Sequence, residues 1–292
     1  MRAEFGLALL LLSLSPSLAN AWCQLRGGED SSMGGSCEVE GELLAWRRAC
    51  IGYSVDTTEM AGIAPETLRA VTARAFARWT ELECAGSAFP LVIQEEAPRN
   101  CSLAQYDPDG PNVNTVTFVS DWPDSYDPSA FAVTTVFHDP ETGEIKDADI
   151  ILQTAQQPWA ECPPSGCLED DEGVIAVDLE NTLTHEIGHF FGLAHSQMDF
   201  ATMHAFAARG ETDKRTVSSD DILGICSIYP DEAPSCEPAD FVPEGGLVDE
   251  CRPLPAGGCS VTTSSGGGNG VPLLVGLALV WRRRVRARLP RS

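Results

Sequence analysis

The chain has 292 residues, and 43 Asp and Glu against 19 Lys and Arg give it a formal net charge of −24. So acidic a body repels phosphate backbones and anionic surfaces, which excludes nucleic-acid binding. With 43% hydrophobic residues, 6 Trp and 11 Phe, there is ample side chain for a core, so wholesale disorder is excluded too.

The chain opens on a secretory signal pattern over residues 1–21. Arg2 supplies the positive end, Leu7 to Leu14 an apolar run, and Ala19-Asn20-Ala21 a small-x-small cleavage site before Trp22. That run is far short of the ~20 residues a membrane span needs. Residues 22–45, rich in Gly, Ser and Glu and carrying Cys23 and Cys37, read as an irregular leader. A domain is expected over 46–232. It starts with a strand at Cys50–Val55. A helix opened by Pro65 follows, with Leu68, Val71, Ala75, Phe76 and Trp79 at helical spacing. Strands are predicted at Leu91–Ile93, Val113–Val119, Phe131–Phe137 and Ala148–Leu152, the last two joined by a turn at Asp139–Gly143. A second helix begins at the N-cap Asp178, presents Leu179, Leu183, Ile187 and Phe190 on one stripe, and stops at Gly192. A third spans Ser219 to Ile228, capped by Ser218 or Ser219, with Asp220 and Asp221 in its first turn. Lysine is scarce, Lys146 and Lys214 alone, which reads as a compositional bias.

Residues 233–270 form a Pro/Gly/Ser-rich linker, and 271–292 a short apolar segment with an Arg cluster at 282–284. At ~1.5 Å per helical residue, Val271 to Trp281 covers about half of a ~30 Å hydrocarbon core, so only transient membrane contact is expected. Cys259, the Ser/Gly spacer, the apolar run and the arginines together resemble the Cys-containing C-terminal sorting signals of surface proteins of myxobacteria. That resemblance implies cutting near Cys259 and retention at the cell surface. Without Cys259, 10 of the 11 cysteines remain, an even number suited to disulfides in an oxidising compartment. Proximity predicts Cys162 with Cys167 and Cys236 with Cys251, and the other pairings stay open. An even count also favours disulfides over a Cys23 or Cys37 thiolate on a metal.

The most informative stretch is His185-Glu186-Ile187-Gly188-His189, continuing through Gly192 to His195. His185 and His189 stand one helical turn apart on one face and can share a metal ion. Glu186 cannot point the same way, but it can reach a water on the open side of that ion. Gly192 lets the chain turn back so that His195 supplies a third nitrogen. Three imidazoles and one open position is the donor set of a catalytic Zn2+, whereas a structural site is closed by four protein ligands.

This extended motif resembles that of metzincin metalloproteases, and Ser196 after the third histidine resembles the matrixin branch. Ala201-Thr202-Met203 resembles the family's Met-turn, and Asp220 to Ile225 its last helix; the likeness covers roughly residues 46–230. The resemblance implies an α+β catalytic domain: a twisted, mostly parallel sheet of about five strands with an antiparallel edge strand, and three main helices. It further implies zinc held by His185, His189 and His195, Glu186 as general base, and Met203 packed beneath the ligands. An edge strand near Phe131–Val136 would pair with an extended protein or peptide substrate, and the enzyme would be a monomer, exported or held at the cell surface. Departures are Ala205 where matrixins usually carry proline, and a leader shorter than the family's inhibitory pro-segment. The residues at the places of the family's second zinc are Thr134, Thr135 and Asp149, so that site is expected to be absent, and His138 is expected at the surface. Asp107, Asp109, Asp139, Glu141, Asp147 and Asp149 offer oxygen ligands for Ca2+ without a spaced loop signature. The competing reading is a zinc-stabilised surface adhesion module without turnover, which Glu186 argues against.

Overall fold

The computed structural model describes residues 22–27, 40–229, 235–248 and 250–251, and the backbone of 273–281. In chain order the elements are β1 (Cys50–Val55), α1 (Pro65–Thr80), β2 (Val92–Glu95), β3 (Thr115–Val119), β4 (Ala130–His138) and β5 (Ile145–Gln153). They are followed by α2 (Leu179–Phe190), β6 (Phe206–Ala207), α3 (Ser219–Ile228) and β7 (Leu273–Trp281). The main sheet runs β6-β7-β4-β5-β3-β1-β2. Its inner pairs β1–β2, β1–β3 and β3–β5 are parallel, while β4 is antiparallel to β5. The expected mostly parallel five-stranded sheet with an antiparallel edge is therefore present, and β7 and β6 extend it beyond β4.

Each helix forms for a local reason. Pro65 sits in the first turn of α1, where its missing N–H costs nothing. The Asp178 side chain accepts the Asn181 amide at 2.7 Å and caps α2. Helix α2 ends at Phe190, and Gly192, at φ +91°, turns the chain away. A Cβ there would lie 2.6 Å from the Leu44 carbonyl oxygen, so only glycine fits. Apolar faces of α1 and α2 meet over the sheet, where Phe76, Phe89, Phe190, Phe191 and Tyr229 pack edge to face. The polar tips of this cluster close the end of α2. Trp46 Nε1 donates to the Phe190 carbonyl at 2.8 Å, and the Tyr229 hydroxyl donates to the Phe191 carbonyl at 2.9 Å.

Four expectations need correction or extension. Cys162 does pair with Cys167, but Cys236 is bonded to Cys50 and Cys251 to Cys101, and Cys84 is bonded to Cys226. The segment 235–251 is thus stapled back onto the β1 side of the domain, and proximity in sequence is overruled by the fold. His138 is buried, not at the surface, because the leader returns across the end of β4 and sets Gly27 against its ring. That leader is also knitted in by backbone: Leu25 N donates to Gly192 O, and Ala194 N donates to Cys23 O, each at 2.8 Å. Asp147 and Asp149, offered as oxygen ligands for Ca2+, are both buried on β5. The apolar run 273–281 is an extended strand, and among the described residues no helix is long and apolar enough to cross a membrane. The signal pattern, Cys37, Cys259 and the Arg cluster lie outside the described residues.

Candidate metal centre

Helix α2 aims His185 and His189 at one point, and the turn at Gly192 brings His195 back to meet them. The ligand atoms of the three all lie within 4.8 Å of one another, and this is the one such His/Cys/Asp/Glu group among the described residues. His189 Nε2 and His195 Nε2 are 3.2 Å apart. Two nitrogens ~2.0–2.1 Å from one tetrahedral Zn2+ would stand roughly 3.3 Å apart.

Backbone carbonyls hold two of the rings from behind. His185 Nδ1 lies 2.6 Å from Thr202 O, and His189 Nδ1 lies 2.7 Å from Leu193 O. Each Nδ1 therefore carries the proton and donates, which leaves both Nε2 lone pairs turned inward. Burial holds all three imidazoles below their ordinary pKa, His189 at about 4. Neutral rings with inward lone pairs would repel one another in a dry site. His185 Nε2 is buried and has no hydrogen-bond partner among the described residues. A cation at the centre removes both costs, so the donor set fits a zinc ion.

Glu186 is buried beside the triad, and Thr134 on β4 donates its hydroxyl to Glu186 Oε2 at 2.7 Å. The carboxylate is thereby held in one orientation between α2 and the edge strand. Thr135 instead meets the Tyr126 hydroxyl at 3.0 Å, and Asp149 accepts the amides of Thr115 and Gln105 at 2.8 and 2.9 Å. Burial and repulsion push Asp147 well up, and burial pushes Asp149 up to about 7. The loop acids are occupied by their own turns: Asp139 Oδ1 accepts the Glu141 and Thr142 amides, and Asp107 Oδ1 that of Asp109. Nothing in this arrangement supports calcium.

The turn at 201–204 lies under the imidazoles. A Cβ on Gly188 would come 2.2 Å from Met203 Sδ, so the methionine packs directly against the helix between His185 and His189. Two residues that sequence reasoning passed over secure this turn. Lys214 is buried and donates from Nζ to Ala201 O at 3.2 Å, Thr202 O at 3.3 Å and His204 O at 2.8 Å, with its pKa lowered by burial to about 8. Asp221 Oδ2 accepts the Thr202 amide at 2.6 Å from the other side. Thr202 is thus held at its carbonyl by Lys214 and at its amide by Asp221, and that carbonyl orients His185. Being one of two lysines in an acidic body was the signal available for Lys214; for Asp221, placement in the first turn of α3 gave only a dipole argument.

Residues 116–230 match the sequence profile of the Matrixin family. Metalloendoproteinase 1-MMP of Arabidopsis thaliana is 44% identical over 55 residues, which is 19% of this chain and 15% of that protein. Matrix metalloproteinase-23 of Rattus norvegicus is 27% identical over 192 residues, 64% of this chain and 43% of its own length. Matrix metalloproteinase-16 of the same species is 29% identical over 195 residues, 65% of this chain and 28% of its own. The chain therefore spans less than half the length of each of these relatives.

Proposed function

We propose, from the premise that residues 116–230 form a matrixin domain, that this chain is an exported zinc endopeptidase. The observation that carries this reading is the buried convergence of three neutral imidazoles beside a carboxylate that a β4 hydroxyl holds in place. His185, His189 and His195 would hold the zinc. Bound there, the ion supplies Lewis acidity, making a water acidic near neutral pH and polarising a carbonyl.

The chain's own residues do the rest. Thr134 orients the Glu186 carboxylate, which takes a proton from the attacking water and passes it to the leaving nitrogen. Lys214 and Asp221 keep Thr202 O in place, and that carbonyl keeps His185 in the tautomer whose Nε2 can bind a metal. The edge of β4 would align an extended peptide by main-chain hydrogen bonds. Export is supported by the disulfides of the domain and the signal pattern at 1–21. Retention at the surface, after cutting near Cys259, follows from the likeness of the tail to sorting signals.

The test is Glu186→Gln. Zinc content should stay at one per chain while peptide hydrolysis falls by ~10²–10⁴-fold or more, the range for losing a general base. Undiminished turnover would remove Glu186 from the reaction.

A further inference from the structure

β4 bounds the five-stranded core, yet every residue from Ala130 to His138 is buried. Its outer edge is taken by β7, antiparallel, from Leu273 opposite His138 to Val280 opposite Ala130. On its other side β7 runs parallel to β6, with Phe206 opposite Val280 and Ala207 opposite Trp281. The segment therefore fills the slot between the edge strand and the strand that follows the Met203 turn. Leu277 pairs with Thr134, the residue that holds Glu186, so the middle of β7 has the register of the reacting carboxylate. The site is closed accordingly: His185, Glu186 and His189 are 0% exposed and His195 3%. A peptidase in that state cannot admit a second chain.

We propose that this slot takes extended, uncharged, apolar segments as added strands, and that its resident occupant is the chain's own segment 273–281, which keeps the enzyme closed until the tail is cut or withdrawn. The inference rests on the peptidase reading above and supplies its regulation and substrate class. Two facts favour this occupant. Residues 273–281 contain no charge and no proline, the usual devices that keep a strand off a sheet edge. They also follow Cys251, itself bonded to Cys101, by 22 residues, so they are tethered to the domain. A tether of that order gives an effective concentration near ~1 mM. A segment of intrinsic Kd ~10–100 μM would then occupy the slot ~10–100-fold in excess of the open form.

The test uses the full chain and the double substitution Gly276→Pro/Leu277→Pro. Alternate residues of an antiparallel strand direct their N–H groups to the partner, so two successive prolines remove one such donor whatever the phase. In a Glu186→Gln background, where the tail cannot be self-cleaved, hydrogen exchange is followed at the amides of Ala130–His138. Protection of the outward-facing amides, lost in the double-proline form, is expected. With Glu186 restored, the double-proline form should cleave a reporter peptide ~10–100-fold faster than the unaltered chain, at equal zinc content. Equally fast exchange in both forms, or measurable cleavage at the same rate in both, overturns the proposal. If neither form cleaves although both hold zinc and the exchange difference persists, the strand docking stands and the peptidase reading falls.

Discussion

Gly188→Ala tests the support beneath the metal ligands. In an exposed helix interior, alanine in place of glycine would stabilise by up to ~1 kcal/mol. Here the new Cβ would sit 2.2 Å from Met203 Sδ, 2.9 Å from Met203 Cε and 3.0 Å from Trp79 Cζ2. Met203 and Trp79 are both buried, so the thioether has no open side into which to swing. A contact of 2.2 Å calls for the upper part of the overpacking range, ~2–3 kcal/mol, which outweighs the helical gain and leaves a net loss of about 1–2 kcal/mol. At ~2–4 °C per kcal/mol for a domain of this size, the thermal midpoint should fall by roughly 2–8 °C. Because Met203 is the obstacle, the two sites should couple. Met203→Ala should cost at least ~1 kcal/mol less in the Gly188→Ala background than in the unaltered chain. The assay is urea or thermal unfolding of the four zinc-loaded proteins of the cycle. An unchanged or raised midpoint in Gly188→Ala, or additive losses, would refute the packing argument.

Asp221→Ala should leave the buried Thr202 amide without its acceptor, costing ~1–3 kcal/mol, and should weaken zinc affinity ~10–100-fold through His185. Chelator competition measures the second effect, and an affinity within twofold of the unaltered chain would exclude that role. Burial depresses the pKa of the three imidazoles below the unfolded value, His189 to about 4. Their contribution to the stability of zinc-free protein is therefore full above the unfolded pKa of ~6.5 and is lost as pH falls towards 4. Asp149, pushed up to about 7, acts with the opposite sign, so the histidine part is read as the difference between the unaltered chain and His189→Gln. A difference that does not change between pH 7 and 4.5 would contradict it. Removing the Cys101–Cys251 bridge with a Ser pair should lower stability by ~2–5 kcal/mol in urea unfolding, whereas a neighbour-paired Cys236–Cys251 framework would leave Cys101 replaceable at little cost.

What was legible in the sequence was local. Pro65, Asp178 and Ser218 each mark a helix start that the backbone honours, because caps and first-turn prolines act over a few residues. The three histidines could be grouped because two lie one turn apart and the third follows a turn that demands glycine. The unread parts were long-range. The Cys50–Cys236 bridge joins residues 186 apart, and no spacing rule reaches that far. His138 is buried by a leader segment whose course is set by backbone pairing to Gly192 and Ala194. Lys214 and Asp221 gain their roles only when the short turn Asp213–Arg215 and α3 fold around the 201–204 turn. The run 273–281 was read as a membrane-contacting segment, since apolarity alone does not separate a short strand from other buried segments; its pairing with β4 was invisible without the sheet.

Zinc among three nitrogens is the centre from which the proposed chemistry follows. X-ray absorption at the zinc edge on the purified chain, with metal stoichiometry taken on the same sample, tests that directly. One zinc per chain with three imidazole nitrogens at ~2.0–2.1 Å is predicted, with the signal lost in His195→Ala. Sub-stoichiometric metal in the unaltered chain, or sulfur in the coordination shell, would contradict it.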